Sequence, residues 1–327
     1  MTPKLGWCVV GCGWVARDYV IPAILASRNG RLVAACDRSD AALVRLPAGE
    51  YARTTDLDRA LGTPGVGAVY VATPNHAHRV VVEAAAAAGK HVLCEKPMAT
   101  TSADARVMVA ACRQAGVTYA TAFDQRFHAA HRAVARLVRQ GRLGVVTQAR
   151  VHYACWLPPG WAADNWRIDP ARAGGGALID LAPHGIDLLE TLLGDEWAEL
   201  RAITQRQVHP YPVDDGAVLM GRFRGGTLAT LHVAYNCPDA YPRRTLELIG
   251  TAARALATDT MGQTPGGSLT LTDAVTGRTE AVPLDDDRSP FAVQVESFAD
   301  AVLGGEPFPF AASGDLRKCE LLEAACH

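Results

Sequence analysis

The sequence predicts an α/β domain built on a doubly wound parallel sheet, followed by an α+β domain with a large, mostly antiparallel open sheet. Three observations lead there. Short apolar runs alternate with helical stretches over the first 121 residues, long alternating strands follow from about residue 145, and a glycine-rich turn stands directly behind the first run. The domains are expected at 1–122 and 123–327.

In order, Leu5 to Val10 is an apolar run, and residues 14 to 28 form a helix that Pro22 should kink. Leu32 to Cys36 and Ala68 to Ala72 are further runs of parallel-strand character. Ala77 to Ala88 reads as a helix stopped by Gly89, and His91 to Cys94 resumes the sheet. Ser102 is placed to cap a helix ending at Gly116, before the strand Val117 to Thr121.

A helix over about 128 to 140 leads into the second domain. Its strands are Val145 to Cys155, Ala217 to Phe223, Leu228 to Tyr235, Thr245 to Ile249 and Leu269 to Thr272, with a hairpin turn at Arg224-Gly225-Gly226. One amphipathic helix, about 180 to 193, interrupts them, and helices near 290 to 303 and 314 to 325 close the chain. No internal repeat or low-complexity linker is visible.

Of the 327 residues 49% are hydrophobic and 20% charged, which is the make-up of a folded globular chain. A formal charge of -2 without basic or acidic blocks argues against nucleic acid and membrane surfaces, so a small-molecule partner is expected. Nine cysteines, an odd number lacking C-x-x-C spacing, read as reduced thiols. With no membrane-length apolar stretch, a cytoplasmic protein is the expectation. Basic residues are split into 28 Arg and four Lys.

Gly11-Cys12-Gly13-Trp14-Val15-Ala16 matches G-x-G-x-x-A between a strand and its helix. A glycine at 11 permits the tight turn, the bare backbone at 13 admits a pyrophosphate, and Ala16 allows close helix packing. Gly11, Gly13, Trp14 and Val15 are therefore cofactor-binding candidates. Asp37, at the end of the second strand, suits a ribose diol, whereas Arg38 would suit a 2'-phosphate. NAD is favoured, with NADP possible. Two further segments end parallel strands, where ligands bind such sheets. Thr73, Pro74, Asn75 and His78 lie in one, and Glu95 and Lys96 in the other; a lysine merely opening a surface loop is the plain alternative.

In Gly174-Gly175-Gly176-Ala177-Leu178-Ile179-Asp180-Leu181-Ala182-Pro183-His184-Gly185-Ile186-Asp187, positions 180, 184 and 187 share one helix face. Asp180 could instead be only the helix cap, with Pro183 in the first turn. Asp180 and His184 lack a third ligand, so no metal is assigned.

Taken together, the glycine turn, Thr73-Pro74-Asn75-His76, Gly89-Lys90-His91-Val92, Glu95-Lys96-Pro97, Arg139 to Gly144 and Gly174 to Asp187 resemble the glucose-fructose oxidoreductase, inositol dehydrogenase and MocA-type (Gfo/Idh/MocA) oxidoreductases. Val15 to Ile21, Trp156-Leu157-Pro158-Pro159 and the glycine run are similar to the 1,5-anhydro-D-fructose reductases of that family. The resemblance implies an N-terminal Rossmann dinucleotide-binding domain, an open-faced second sheet, and the nicotinamide between them. It also implies that Lys96, Asp180 and His184 surround the reacting carbon, that Lys96-Pro97 is cis, and that Trp166 and Arg167 contact the cofactor. Departures are Ala182 where the family commonly has Gly, and Phe291 where it often has Tyr.

The expected reaction is hydride transfer that interconverts hydroxyl and carbonyl on a sugar, aminosugar or cyclitol. His184 is the candidate acid/base, Asp180 its orienting partner and Lys96 the cation that polarises the oxygen. Tyr153 is a substrate-contact candidate beside Trp156, Trp161 and Trp166, a cluster that fits a sugar face, a hydrophobic lid or a subunit contact. The same features leave room for a non-catalytic dinucleotide-binding regulator or an NAD-dependent glycosidase. A homodimer or homotetramer paired through the open sheet is expected.

Overall fold

Apolar runs only four to seven residues long cannot bury both faces unless helices flank them, and the first unit of the structure meets this need. The structure is a computed structural model that describes residues 3–158, 160, 165–305 and 308–326. Its chain packs as two units, the first comprising residues up to Ala122 with Phe291–Cys319, the second Phe123–Pro290 with the residues from Glu320 on. The segment Phe291–Cys319, which the sequence reading assigned to the second domain, packs with the first.

In the first unit, β1 (Leu5–Val10), β2 (Gly30–Cys36), β3 (Ala52–Thr54), β4 (Ala68–Val71), β5 (His91–Glu95) and β6 (Tyr119–Ala122) form one parallel sheet in the order β3-β2-β1-β4-β5-β6. The strand order reverses between β1 and β4, and the crevice that opens at such a point is where doubly wound sheets take ligands. Trp7, Val9 and Tyr70 fill one face with Phe298 of the helix Pro290–Val302, while Val69, Val82 and Met108 fill the other.

Pro22 behaves differently from expectation. It stands in the first turn of the helix Ile21–Ala26, and the preceding Ala16–Val20 segment is wound as a π-helix. The Ile21 N–H reaches back to Ala16 O, so the wider turn precedes the proline. The cap of the helix Ser102–Gln114 is Thr101, whose hydroxyl accepts from Asp104 N–H at 3.1 Å, not Ser102.

In the second unit, β7 (Val146–Ala154), β8 (Trp197–Gln205), β9 (Gly216–Phe223), β10 (Leu228–Ala234), β11 (Arg244–Gly250), β12 (Ala253–Thr258), β13 (Ser268–Asp273) and β14 (Thr279–Ala281) form an eight-stranded sheet. Their order is β14-β13-β12-β11-β7-β10-β9-β8, antiparallel throughout except for the parallel pair β7 and β10. Alternation along each strand sends Ala149, Val151, Leu231, Val233, Leu246 and Leu248 to one face, where they pack with Leu178, Leu181, Leu188 and Leu192 of the helix Ala177–Leu193. Gly185 lets that helix approach closely, since a Cβ there would lie 2.6 Å from Leu231 and 3.3 Å from Val151.

Candidate active site

The turn after β1 is held by geometry that only glycine tolerates at position 11. Gly11 has φ 90°, and a Cβ on it would come within 2.6 Å of the backbone at Ala72 and Thr73. At Gly13 a Cβ would meet nothing within 4 Å, so the missing side chain leaves open space beside the loop. Asp37 Oδ2 accepts from Cys12 N–H at 2.7 Å and Oδ1 from Ser39 N–H at 2.9 Å, fixing the half-buried carboxylate next to the glycine turn. Each oxygen retains a further lone pair for a hydroxyl. At the end of β4 the Thr73 Oγ1 is buried and has no hydrogen-bond partner among the described residues. Open space, an anchored carboxylate and an orphaned hydroxyl fit a dinucleotide.

His78 has a different place from the one expected. It is fully buried, with Nε2 3.0 Å from Thr73 O and Nδ1 3.1 Å and 3.3 Å from Pro97 O and Met98 O. Burial lowers its pKa to about 4, against the opposing pull of those carbonyls. The imidazole ties the loop after β4 to the loop after β5 and shows no surface to a ligand. It thereby helps to position Lys96, which is half-buried and precedes a cis peptide to Pro97. Glu95 accepts from the Tyr70 hydroxyl at 2.7 Å.

In the second unit the helix Ala177–Leu193 carries the other candidates, and Asp180 is not its cap. Asp214 caps it from a distant loop, its carboxylate accepting from Gly176 N–H and Leu178 N–H, each at 2.8 Å. Pro183 consequently lies in the helix interior rather than in its first turn. Freed from capping, Asp180 accepts a 2.8 Å hydrogen bond at Oδ2 from the buried Tyr235 hydroxyl.

One turn later, buried His184 places Nδ1 3.4 Å from Oδ1 of Asp124, a residue the sequence reading did not single out. Asp124 Oδ2 accepts from Gln125 Nε2 at 2.8 Å. The loop bearing Asp124 is pinned to the same helix by Arg126, whose Nε donates to Asp187 Oδ2 at 2.8 Å in a two-pronged pair with both side chains buried. The Tyr153 ring meets His184 edge-on, with centroids 5.4 Å apart. A buried imidazole facing a carboxylate, with a second carboxylate on the preceding turn, is equipped to exchange a proton.

Comparisons with known proteins give the family. Residues 5–123 match the model of the oxidoreductase family with an NAD-binding Rossmann fold, and residues 131–256 match the GFO/IDH/MocA C-terminal domain. The chain is 36% identical over 305 residues to the 1,5-anhydro-D-fructose reductase of Ensifer adhaerens, covering 92% of this chain and 89% of that one. The chain belongs to the Gfo/Idh/MocA oxidoreductases. It is 29% identical over 299 residues to a D-xylose 1-dehydrogenase (NADP(+)) of Haloferax volcanii, covering 91% of this chain and 89% of the other. It superposes on the aldose-aldose oxidoreductase from Caulobacter crescentus, solved with glycerol, with a TM-score of 0.87 and 26% identity over 98% of this chain and 96% of that one.

As a Gfo/Idh/MocA oxidoreductase the protein is an NAD(P)-dependent enzyme whose first unit is the nucleotide-binding Rossmann fold. Phe291, where the resemblance leads to an expectation of Tyr, is buried in that unit and stacks on Tyr19 at 5.5 Å. In the second unit the Arg167 guanidinium lies 4.5 Å from the Trp166 ring centroid, and Trp156 packs against His209 at 5.0 Å. Trp161 and Pro159 lie outside the described residues.

Proposed function

We propose that this oxidoreductase interconverts a hydroxyl and a carbonyl on a sugar, aminosugar or cyclitol. The observation that carries the reading is the buried His184 facing Asp124 on the helix that also presents Asp180. The bound nicotinamide supplies or accepts the hydride. In the reducing direction His184 gives its proton to the carbonyl oxygen as that oxygen gains charge, and in the oxidising direction it takes the alcohol proton. Asp124 stabilises the imidazolium at Nδ1, and Asp180, held by Tyr235, orients the substrate hydroxyl. Lys96 offsets the negative charge on the reacting oxygen.

The cofactor is held by the turn Gly11 to Val15, Asp37, Arg38, Thr73, Pro74, Asn75, Glu95, Trp166 and Arg167. Asp37 favours NAD by repelling a 2'-phosphate, although exposed Arg38 stands beside it and the Haloferax relative is named for NADP. A cytoplasmic homodimer or homotetramer is proposed. The outer face of the second sheet leaves Ile203, Met220 and Leu228 at 70%, 54% and 58% exposure, and pairing of two copies would cover them.

The test is to incubate the protein with NAD(H) and a panel of sugars, aminosugars and cyclitols, following near-ultraviolet absorbance of the reduced nicotinamide together with glycoside cleavage. Cofactor consumption without cleavage supports the reading. Cleavage without net consumption, or no turnover on the whole panel, contradicts it.

A further inference from the structure

Arg244 opens β11 directly opposite Tyr153 of β7 in an antiparallel pair. Residues opposed in this way project from the same face of a sheet, and Tyr153 turns its ring toward His184. The burial pattern of β11 agrees, because Leu246 and Leu248, which share parity with Arg244, lie in the core under the helix Ala177–Leu193. A guanidinium thus stands on the sheet face that carries the catalytic candidates, not on the outer face.

Its side chain is not paired with any of the described carboxylates. Among the described residues no hydrogen bond or ion pair engages the Arg244 guanidinium, and its Nε is buried without a partner. Neighbouring arginines differ: Arg243 pairs with Asp239, Arg126 with Asp187 and Arg132 with Asp286. A half-buried guanidinium with no carboxylate partner among the described residues keeps its terminal nitrogens available to an anionic ligand.

The fold also makes room for this group. Arg244 O accepts from Asp259 N–H at 2.7 Å, and Asp259 holds φ 57°, a left-handed conformation uncommon for a residue with a side chain. The turn it begins brings Gly262 beneath the guanidinium, so close that a Cβ there would lie 2.4 Å from Nη1. Gly262 O accepts from Gln125 Nε2, which also donates to Asp124. The Arg244 platform and the His184 neighbourhood are therefore joined through one amide. Burial raises the pKa of Cys155 to about 12, Asp180 adds to this and Arg244 opposes it, which places the guanidinium within electrostatic reach of the site.

We propose that the substrate carries an anionic oxygen group, carboxylate or phosphate, which Arg244 binds while the reacting hydroxyl lies at His184. The inference rests on the proposed hydroxyl–carbonyl chemistry and narrows its substrate class. Asp124 and Asp180 confine the anion to the Arg244 side, so the charged group sits away from the reacting carbon. A planar guanidinium presents paired donors to either oxyanion.

The experiment is calorimetric titration of the NADH-loaded enzyme with D-glucose, D-glucuronate and D-glucose 6-phosphate. The same titrations are run on Arg244→Gln and on Gly262→Ala, which keeps the arginine but displaces its guanidinium. The expected result is binding of glucuronate or glucose 6-phosphate at least about tenfold tighter than glucose, lost in both variants while glucose binding is unchanged. The tighter of the two anionic arms identifies carboxylate or phosphate. Equal or weaker binding of both anions, no binding of any of the three sugars, or a preference that survives Arg244→Gln overturns the proposal. Because turnover is not read, failure of the His184 chemistry would show in the absorbance assay and not here.

Discussion

His184 Nδ1 and Asp124 Oδ1 lie 3.4 Å apart, and both side chains are almost wholly buried. A carboxylate in that position stabilises the imidazolium that forms whenever His184 takes a proton. Asp124→Asn keeps the shape and removes the charge. The expected outcome is a kcat lowered about 10- to 100-fold with NADH affinity unchanged, read by steady-state kinetics alongside fluorescence titration. An unaltered kcat would remove Asp124 from the mechanism.

The Arg126–Asp187 pair makes that arrangement possible, since it clamps the Asp124 loop to the helix one turn beyond His184. Asp187→Ala strands a buried guanidinium, at a cost of about 3–5 kcal/mol. Scanning calorimetry should show the transition assigned to the second unit lowered by roughly 10 °C. The paired replacement Arg126→Met with Asp187→Leu should lose less, because neither charge remains buried.

His131 carries a pH prediction. Its Nδ1 lies 2.9 Å from Gln125 O, its Nε2 lies 3.0 Å from Thr260 Oγ1, and burial drives its pKa down to about 3. The folded state therefore excludes a proton that the unfolded chain binds below about pH 6.5. The stabilisation is complete above that value and is lost progressively as pH falls toward 3. Between pH 7 and 5 this one group should remove about 2 kcal/mol, by linkage. Urea denaturation of His131→Gln should show a shallower loss over that interval, and a loss equal to wild type would refute the assignment.

The proposed preference for NAD rests on Asp37, anchored by Cys12 N–H and Ser39 N–H beside the glycine turn. Asp37→Ser removes the charge that repels a 2'-phosphate and leaves Arg38 available to bind one. Fluorescence titration should show wild type tighter on NADH than on NADPH, with the preference reduced or reversed in the variant. Tighter NADPH binding by wild type would make Arg38 the dominant residue.

The parallel sheet was legible because each central strand is a continuous apolar run bounded by glycine or a polar turn, as at Leu5–Val10 followed by Gly11. Strand β8 was not, because Glu199, Arg201, Thr204 and Gln205 are exposed on an edge strand and its core residues are few. Asp124 and Asp214 were invisible for another reason. Each acts on a helix far away in sequence, and no local spacing encodes a cap or a carboxylate partner supplied by a remote loop. Pro183 misdirected the reading of Asp180, since a proline in the helix interior is costly and suggested a later start; the helix begins at Ala177 and accommodates it. His78 stood out only as a cofactor candidate at a strand's end, and it is the three surrounding carbonyls that show it bracing loops.

The proposed chemistry is tested most directly by the turnover of His184→Ala, measured with the sugar or cyclitol that the wild-type enzyme uses best and with NADH binding titrated in parallel. Deleting the acid/base should lower kcat by about 100- to 10,000-fold. NADH affinity should stay within about twofold, because the cofactor is assigned to the Gly11–Val15 turn and Asp37 rather than to this helix. Near-normal turnover in His184→Ala, with the variant folded and NADH-bound, would contradict the account and pass the proton to Lys96 or another group.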